Sequence, residues 1–306
     1  MLHFLAWRVA RALLTVLLVL AGCFAAVRMT GSPVDLLYGD GATPEQTVEL
    51  EREWGLDQPL PQQFALYLRN IARGEFGVSI VERRPVTTVY AERMGPTLQL
   101  AGLALLLGTV VGLPLGMASA LWRGKAGARA AVAFTFVGYA VPSFIIAILL
   151  ILVFGYHLNW LPSTGASTPA HYVLPAVTLA LPLMAVNARY MRSTLLDVLN
   201  QDYVRTARAK GLMEPRVIGL HALRNAVLPL ITVFGLEVAG LVNGSLIVET
   251  VFSWPGVGKV LTGSVSRRDF PILQFGVIAY ALVVVGVNLV VDLLYAVADP
   301  RVRVES

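Results

Sequence analysis

The sequence predicts an all-α integral membrane protein with six transmembrane helices and both termini in the cytoplasm. Hydrophobic residues make up 56% of the 306-residue chain and charged residues only 14%, whereas an ordinary soluble domain carries about a quarter charged residues. The apolar residues are grouped into blocks of about 20, the length that a helix needs to cross the hydrocarbon core of a bilayer. These blocks are continuously apolar rather than alternating, which favours helices over the strands of a barrel.

Six blocks have this length, and they lie at about 9–29, 97–122, 130–155, 172–191, 226–248 and 271–297. The third and fourth blocks belong to one long stretch between Arg129 and Arg189 that contains no Asp, Glu, Lys or Arg. That stretch is too long for one span, and the polar segment at 156–171, with Pro162 and Gly165, predicts a loop inside it.

The first block contains the only cysteine, Cys23, in the run Leu20-Ala21-Gly22-Cys23. This run matches a bacterial lipoprotein cleavage site, so removal of the first helix is one interpretation. The apolar run continues through Val27, where a lipoprotein would become polar. The continuation favours a retained first helix.

Orientation follows from the basic residues, because short cytoplasmic loops gather Lys and Arg. Segment 30–96 carries ten acids against six arginines, and loop 156–171 carries no acid, lysine or arginine. Most of the other cations fall in short loops on the opposite side, at Arg8, Arg11, Arg123, Lys125, Arg129, Arg192, Arg205, Arg208, Lys210, Arg216, Arg224, Arg301 and Arg303. This bias explains the net charge of +5. The sequence has no basic patch interleaved with aromatic residues, so it gives no indication of nucleic-acid binding.

Residues 30–96 are predicted to form a helical lid on the periplasmic face. Thr43 and Pro44 have the pattern of a helix start, and Pro61 opens a second helix that ends near Gly74. A third amphipathic stretch, 86–94, leads to Pro96 and the second span. The lid is either a structural cap or a docking surface for a soluble partner.

The inner loop, residues 192–226, is predicted to contain two short helices. Asn200 or Asp202 can cap the first, whose last turn is basic and whose end is marked by Gly211; Pro215 begins the second. Such helices could lie on anionic lipid. Small residues between the cations, including Ala207, favour instead a coupling element contacted by another protein.

The run from Asp202 to Leu212, followed by His221 to Ala226, resembles the cytoplasmic loop of permeases in dipeptide, oligopeptide, glutathione and nickel importers, which are ATP-binding-cassette (ABC) systems. The resemblance extends over nearly the whole chain, through the segments 55–60, 76–79, 96–98, 249–252, 255–258, 292–296 and 299–300. It implies that the loop docks on an ATPase through Arg205, Thr206, Ala207, Arg208, Lys210 and Gly211. The family's Glu-Ala-Ala triplet is replaced here by Arg-Thr-Ala at 205–207.

The resemblance also implies the assembly and its location. The partners would be a second homologous permease subunit, two ABC ATPase subunits and a periplasmic substrate-binding protein, in the bacterial inner membrane. The chain would then divide into residues 1–29 with the first helix, the lid at 30–96, and a five-helix permease core at 97–306. The sequence has no phosphate-binding loop, so ATP and Mg²⁺ would bind the partner subunits and this chain would be no enzyme. No catalytic or metal-binding cluster is indicated.

Polar residues at membrane depth are candidates for the translocation path, and they are Asn187, Glu237, Asn243 and Asn288. Alternatively, Glu237 does not line the path, and its protonated side chain forms a hydrogen bond to a neighbouring helix. The spacing of Gly108, Gly112 and Gly116 predicts close helix packing.

Three other classes of protein are weighed against the importer. A secondary transporter would usually carry internal repeats, a channel would not need a basic helical loop of this length, and a membrane enzyme would need a cluster of catalytic groups. The substrate stays open among peptides, glutathione and nickel chelates, because the binding protein does most of the selecting in this family.

Overall fold

A computed structural model describes residues 2–29 and 57–298. Within these residues the chain is helical apart from its loops and one isolated antiparallel bridge between Val78 and Pro85. The predicted helix start at Thr43 lies outside the described residues. The helices are α1 Leu2–Met29, α2 Leu60–Ala72, α3 Val86–Leu121, α4 Ala126–Ala140, α5 Ser143–His157, α6 Val173–Leu199, α7 Asp202–Ala209, α8 Glu214–Ala226, α9 Leu230–Val251, α10 Val257–Arg267 and α11 Phe270–Ala298.

Within this described part, α1, α3, α6 and α11 are each long and apolar enough to cross a membrane. Two bent pairs, α4 with α5 and α8 with the first part of α9, would each add one span and bring the number to six. Large apolar side chains such as Leu13, Phe136 and Leu236 are more than half exposed. A chain in water would bury such side chains, so their exposure is typical of helices that face lipid or another subunit.

The third predicted span is broken, and the prediction of one helix over 130–155 is wrong. α4 ends at Ala140, and α5 begins at Ser143 after a bend of 105°. Val141 is extended, with φ −86° and ψ 122°, because the ring of Pro142 disfavours helical backbone in the residue before it. The last part of α5, Ile151–His157, winds as a π-helix.

Helix α3 joins two segments that the sequence treats separately. It runs for 36 residues without a break, so the amphipathic stretch at 86–94 continues directly into the second span. Pro96 and Pro114 lie inside the helix. Membrane helices tolerate such prolines because neighbouring groups satisfy the freed carbonyls.

The chain forms two compact units. The first comprises residues 1–94 and 260–286. In it, the Phe24 ring of α1 packs on Phe64 and Tyr67 of α2, with ring centroids 5.3 and 5.7 Å apart. A second apolar cluster contains Val86, Val89 and Ile272.

The second unit comprises residues 95–259 and 287–306, and α6 lies at its centre. A Cβ added at Gly108 would lie 2.7 Å from the Leu183 Cβ, and one at Gly112 would lie 2.8 Å from the Asn187 Cβ. A Cβ at Gly116 would collide with the Ala188 carbonyl oxygen. The prediction that these three glycines permit close helix packing is therefore confirmed, since α3 and α6 approach to distances that no larger residue would allow.

Candidate functional site

The inner loop folds around a small apolar core of its own. Val204 and Ala207 on α7 pack against Val217 on α8, with Val198, Leu199 and Leu212 around them. The amphipathic spacing of α7 therefore places its apolar residues inward. The loop is a helical unit attached to the end of α6 rather than a mobile connection.

The predicted contact role of Ala207 is wrong in its geometry. Its side chain is only 5% exposed and belongs to this core, so it does not present a surface to a partner. Small size at this position is needed for the packing of α7 on α8. The exposed members of the predicted docking set are Arg205, Thr206, Arg208, Lys210 and Gly211.

Charged residues form ion pairs within and between the two short helices. The Arg208 Nε donates to Glu214 Oε1 at 2.6 Å, which links α7 to the start of α8. Arg205 pairs with Asp202 one turn away at 3.4 Å. Pairs this exposed contribute little stability, so the cations remain available to a partner of opposite charge.

The ends of α7 agree only in part with the sequence prediction. Gly211 lies just past the end of α7, as predicted, and has φ +78°, the left-handed conformation that glycine adopts readily at a helix end. The predicted side-chain cap is wrong, because Gln201 is the N-cap residue and forms no capping hydrogen bond. Asp202 lies one position later, in the first turn, where its charge still suits the helix dipole.

Two of the path candidates meet inside the second unit. The Asn187 Nδ2 on α6 donates to Glu237 Oε2 on α9 at 3.1 Å, and the two residues are 3% and 7% exposed. Glu237 Oε1 is buried without a hydrogen-bond partner among the described residues. Asn288 is exposed on α11, and Asn243 lies on α9 at a position whose side chain is outside the described part.

The structure also contains a buried carboxylate that the sequence analysis did not single out. Glu249, near the end of α9, is fully buried. Its Oε1 accepts from Thr97 Oγ1 at 2.8 Å, and its Oε2 accepts from the backbone N–H groups of Gly258 and Lys259 at 2.6 and 3.3 Å. Thr97 Oγ1 in turn accepts from the Val257 N–H at 2.9 Å.

The packing around Glu249 explains why positions 256 and 258 are occupied by glycine. The carboxylate occupies the N-terminus of α10, where unpaired N–H groups and the helix dipole favour a negative charge. A Cβ at Gly258 would lie 2.6 Å from the Leu246 Cα, and one at Gly256 would collide with the Glu249 carboxylate. A lone acid at the end of an apolar block, six residues before the start of a Pro-Gly-x-Gly turn, is the signal from which the cluster could have been predicted.

A second buried carboxylate performs a similar task in the first unit. Asp269, which is 2% exposed, accepts from Ser79 Oγ at 2.5 Å and from the N–H groups of Ile80 and Val81 at 3.2 and 3.3 Å. It thereby holds the turn that follows α2 against the start of α11. Both carboxylates are satisfied by the chain itself and have no free oxygen directed at a ligand.

The helices that are long and apolar enough to cross a membrane define a polytopic, all-helical membrane protein. Residues 112–304 match the family described as binding-protein-dependent transport system inner membrane component. Residues 1–101 match the family of its N-terminal region. The chain belongs to this family, and it is a multi-pass protein of the inner membrane.

Relatives and solved structures agree with this assignment. The chain is 40% identical to the glutathione transport system permease protein GsiC of Salmonella typhi over 304 residues, and 41% identical to that of Escherichia coli over 305 residues, with 99% of each chain covered. Its fold resembles the inward-facing MetNI methionine ABC transporter, with a TM-score of 0.58 at 18% identity over 68% of this chain and 95% of that one. An amino acid ABC transporter gives a TM-score of 0.55 at 16% identity, over 68% of this chain and 93% of that one.

Proposed function

We propose that this chain is one of two permease subunits of an ATP-driven importer for glutathione or small peptides. The single observation that carries the proposal is the self-packed inner loop at 192–226, whose core is internal. The cations of its two short helices, Arg205, Arg208, Arg216 and Arg224, are exposed. Its partners are a second related permease, two ATPases that bind ATP and Mg²⁺, and a periplasmic substrate-binding protein. The names of the glutathione permeases, at 40–41% identity over full length, support the substrate class.

The proposed topology has six spans and both termini inside, with the lid at 30–96 facing the periplasm and the binding protein. In this arrangement the bend between α4 and α5 lies within the third span, and the bend between α8 and α9 joins the inner loop to the fifth span. The permease core begins at residue 97 and contains the inner loop. Support comes from the basic residues that flank the proposed inner ends of the helices.

Cysteine labelling in intact cells tests this topology, in a Cys23→Ala background that removes the only native thiol. A cysteine at Tyr67 would be a poor outer probe, because the Tyr67 ring packs on Phe24. We therefore place the outer cysteine at Arg69, on the exposed face of α2 (Arg69→Cys). We expect an impermeant maleimide to label position 69 and to leave Thr206→Cys unlabelled until the cells are opened. Labelling of position 206 from outside would overturn the topology.

Docking of the inner loop on an ATPase is tested by charge reversal with a matched control. Arg205 and Arg216 are both exposed cations of the loop, but only Arg205 belongs to the proposed docking helix α7. We expect Arg205→Glu to reduce co-purification of the ATPase and substrate-stimulated hydrolysis by about tenfold, the result of losing about 1.4 kcal/mol of binding. Arg216→Glu should change both less than twofold.

Two outcomes separate this proposal from the alternative in which the loop lies on lipid. Equal and small effects of the two reversals would favour the lipid surface and overturn the docking role. Loss of transport for both variants with normal ATPase binding would place the defect elsewhere. Uptake of labelled glutathione and of a labelled dipeptide, measured in cells with and without the gene, then decides the substrate.

A further inference from the structure

A cavity between α3, α4 and α6 is not used by the proposed function. Its volume is 460 Å³, within the range of pockets that hold small ligands. A second cavity of 240 Å³ adjoins it and shares Ser119, Val132 and Arg192 with it. All of the lining residues belong to the second unit, so the groove that the two cavities form is a property of that unit alone.

The groove is strongly basic. Arg189 and Arg192 line the larger cavity with one acid, Asp197, and Arg123 and Arg129 line the smaller one together with Arg192. None of the four arginines forms an ion pair with a residue in the described part of the chain. Four cations against one acid, all facing the same space, favour an anionic ligand.

Two of these arginines are held at the groove in different ways. The Arg192 side chain lines both cavities, and its Nε is buried without a hydrogen-bond partner among the described residues, which is costly for a buried donor. The Arg189 guanidinium lies over the Tyr139 ring, 4.7 Å from its centroid. Stacking uses the face of the guanidinium and leaves its in-plane N–H groups free for an oxyanion.

Most of the rest of the wall is apolar, with Ser119, Thr135, Tyr139 and Ser193 as its uncharged polar members. Leu115 on α3 and Val132 and Phe136 on α4 line the larger cavity, and the Phe136 side chain is 74% exposed at the outer surface of the chain. A free phosphate ion would gain nothing from this wall. A lipid would gain from it, because its acyl chains extend away from the phosphate along apolar side chains.

We propose that this groove binds the phosphate of an anionic phospholipid, with Arg189 and Arg192 at the headgroup and Val132 and Phe136 along the acyl chains. The inference rests on the proposed topology, which places Arg123 and Arg129 at the cytoplasmic surface. Basic pockets between helices on that side are the sites where acidic headgroups bind. The lipid would fill the space between α4 and α6 and hold the broken span in place.

Native mass spectrometry of the delipidated full chain tests the site. The probes are phosphatidylglycerol and phosphatidylcholine with the same acyl chains. We expect phosphatidylglycerol to bind at least tenfold more tightly, and the double variant Arg189→Gln/Arg192→Gln to lose about thirtyfold of that affinity, since each of the two cations near a headgroup contributes on the order of 1 kcal/mol. Arg205→Gln/Arg216→Gln, which removes the same two charges outside the groove, should change the affinity less than twofold.

A second variant tests the cavity without changing charge. Thr135 lines the larger cavity, and Thr135→Trp should fill it and reduce phosphatidylglycerol binding as the arginine variant does. Glycerol phosphate, the headgroup without chains, should compete only at a concentration at least a hundredfold above that of the lipid (~2.7 kcal/mol). Equal affinity for the two lipids, or competition by glycerol phosphate at the lipid's own concentration, would overturn the proposal.

The assembled transporter gives the last arm of the test, and it needs no variant. Wild-type complex is reconstituted with phosphatidylglycerol that carries a photoreactive group in one acyl chain, and the cross-linked peptides are identified. We expect cross-links within 126–140 and 188–197. If the lipid is cross-linked to partner subunits and to none of these residues, the groove does not bind lipid in the assembled transporter, and the proposal is overturned. Because this arm does not depend on transport, its failure is distinct from failure of the proposed function.

Discussion

Helix α9 carries two buried carboxylates whose surroundings differ in one respect. Both oxygens of Glu249 accept hydrogen bonds, from Thr97 and from the first turn of α10. Glu237, twelve residues earlier on the same helix, accepts one hydrogen bond from Asn187 and has a second oxygen that is buried without a partner. The two side chains are nearly equally inaccessible, at 0% and 7% exposure.

The difference separates a structural acid from a candidate functional one. A buried acceptor that its own chain satisfies contributes to stability and has nothing left to offer a ligand. A buried acceptor that is half satisfied is costly for the fold, and polar groups of this kind at membrane depth mark transport pathways. We therefore expect substitutions at Glu249 to affect folding and substitutions at Glu237 to affect transport.

The largest effect is expected for Glu249→Ala. This change removes the buried carboxylate that accepts from the Thr97 hydroxyl and from the N–H groups of Gly258 and Lys259, and losing an acceptor at a buried site costs about 1–3 kcal/mol. We expect insertion or assembly to fail, or the midpoint of thermal unfolding in detergent to fall by more than 10 °C. Glu214→Ala, which removes only an exposed ion pair, should cost less than about 1 kcal/mol. Equal midpoints for the two variants would contradict the structural role of Glu249.

A smaller effect is expected at the support of the Glu237 site. Gly112 touches α6 beside Asn187, and a side chain there would press on the Asn187 Cβ and the Met184 carbonyl. Gly112→Val should therefore cost about 1–3 kcal/mol by overpacking. Gly102→Val is the matched control, because nothing lies within 4 Å of a Cβ at that position of the same helix. Unfolding midpoints that fall equally in both variants would show that helix propensity, not contact with Asn187, is responsible.

Composition and periodicity predicted most of the helical fold. Apolar block length placed α3, α6, α9 and α11 close to where they lie, because helices in lipid must be both long and apolar. Hydropathy could not locate the break at Val141–Pro142, since the residues on both sides of it are mostly apolar and none of residues 130–157 is an acid, lysine or arginine. The proline was visible in the sequence, but prolines also lie inside α3 without breaking it, so their effect is decided by tertiary contacts.

The site was predicted less completely, for a physical reason. Local chemistry identified Gly211 and the cations of α7, since both depend on neighbouring residues in the chain. The burial of Ala207 and the hydrogen bonds of Glu249 depend on contacts with α8, α3 and α10, which spacing alone does not reveal. The pairing of Asn187 with Glu237 joins residues that are fifty positions apart, and only the packing of α6 on α9 brings them together.

The smallest change in stability, and the most informative test of the comparison, is expected for Glu237→Gln. Glutamine keeps an acceptor for Asn187 and nearly the same volume, and hydrogen bonds between membrane helices average about 0.6 kcal/mol. The unfolding midpoint should therefore shift by no more than a few degrees. If the unpartnered oxygen belongs to the translocation path, uptake should nevertheless fall by about tenfold, which corresponds to about 1.4 kcal/mol in the limiting barrier.

The alternative, that Glu237 only forms a hydrogen bond between helices, gives a different result for the same variant. Glutamine would then preserve both stability and uptake, and Asn187→Leu would lower stability and uptake together. Uptake and unfolding midpoint are therefore measured on both variants in parallel. Loss of uptake at an unchanged midpoint in Glu237→Gln assigns the acid to transport, because only a role for the carboxylate itself separates the two readouts. Unchanged uptake would make Glu237 a second structural acid and end the distinction from Glu249.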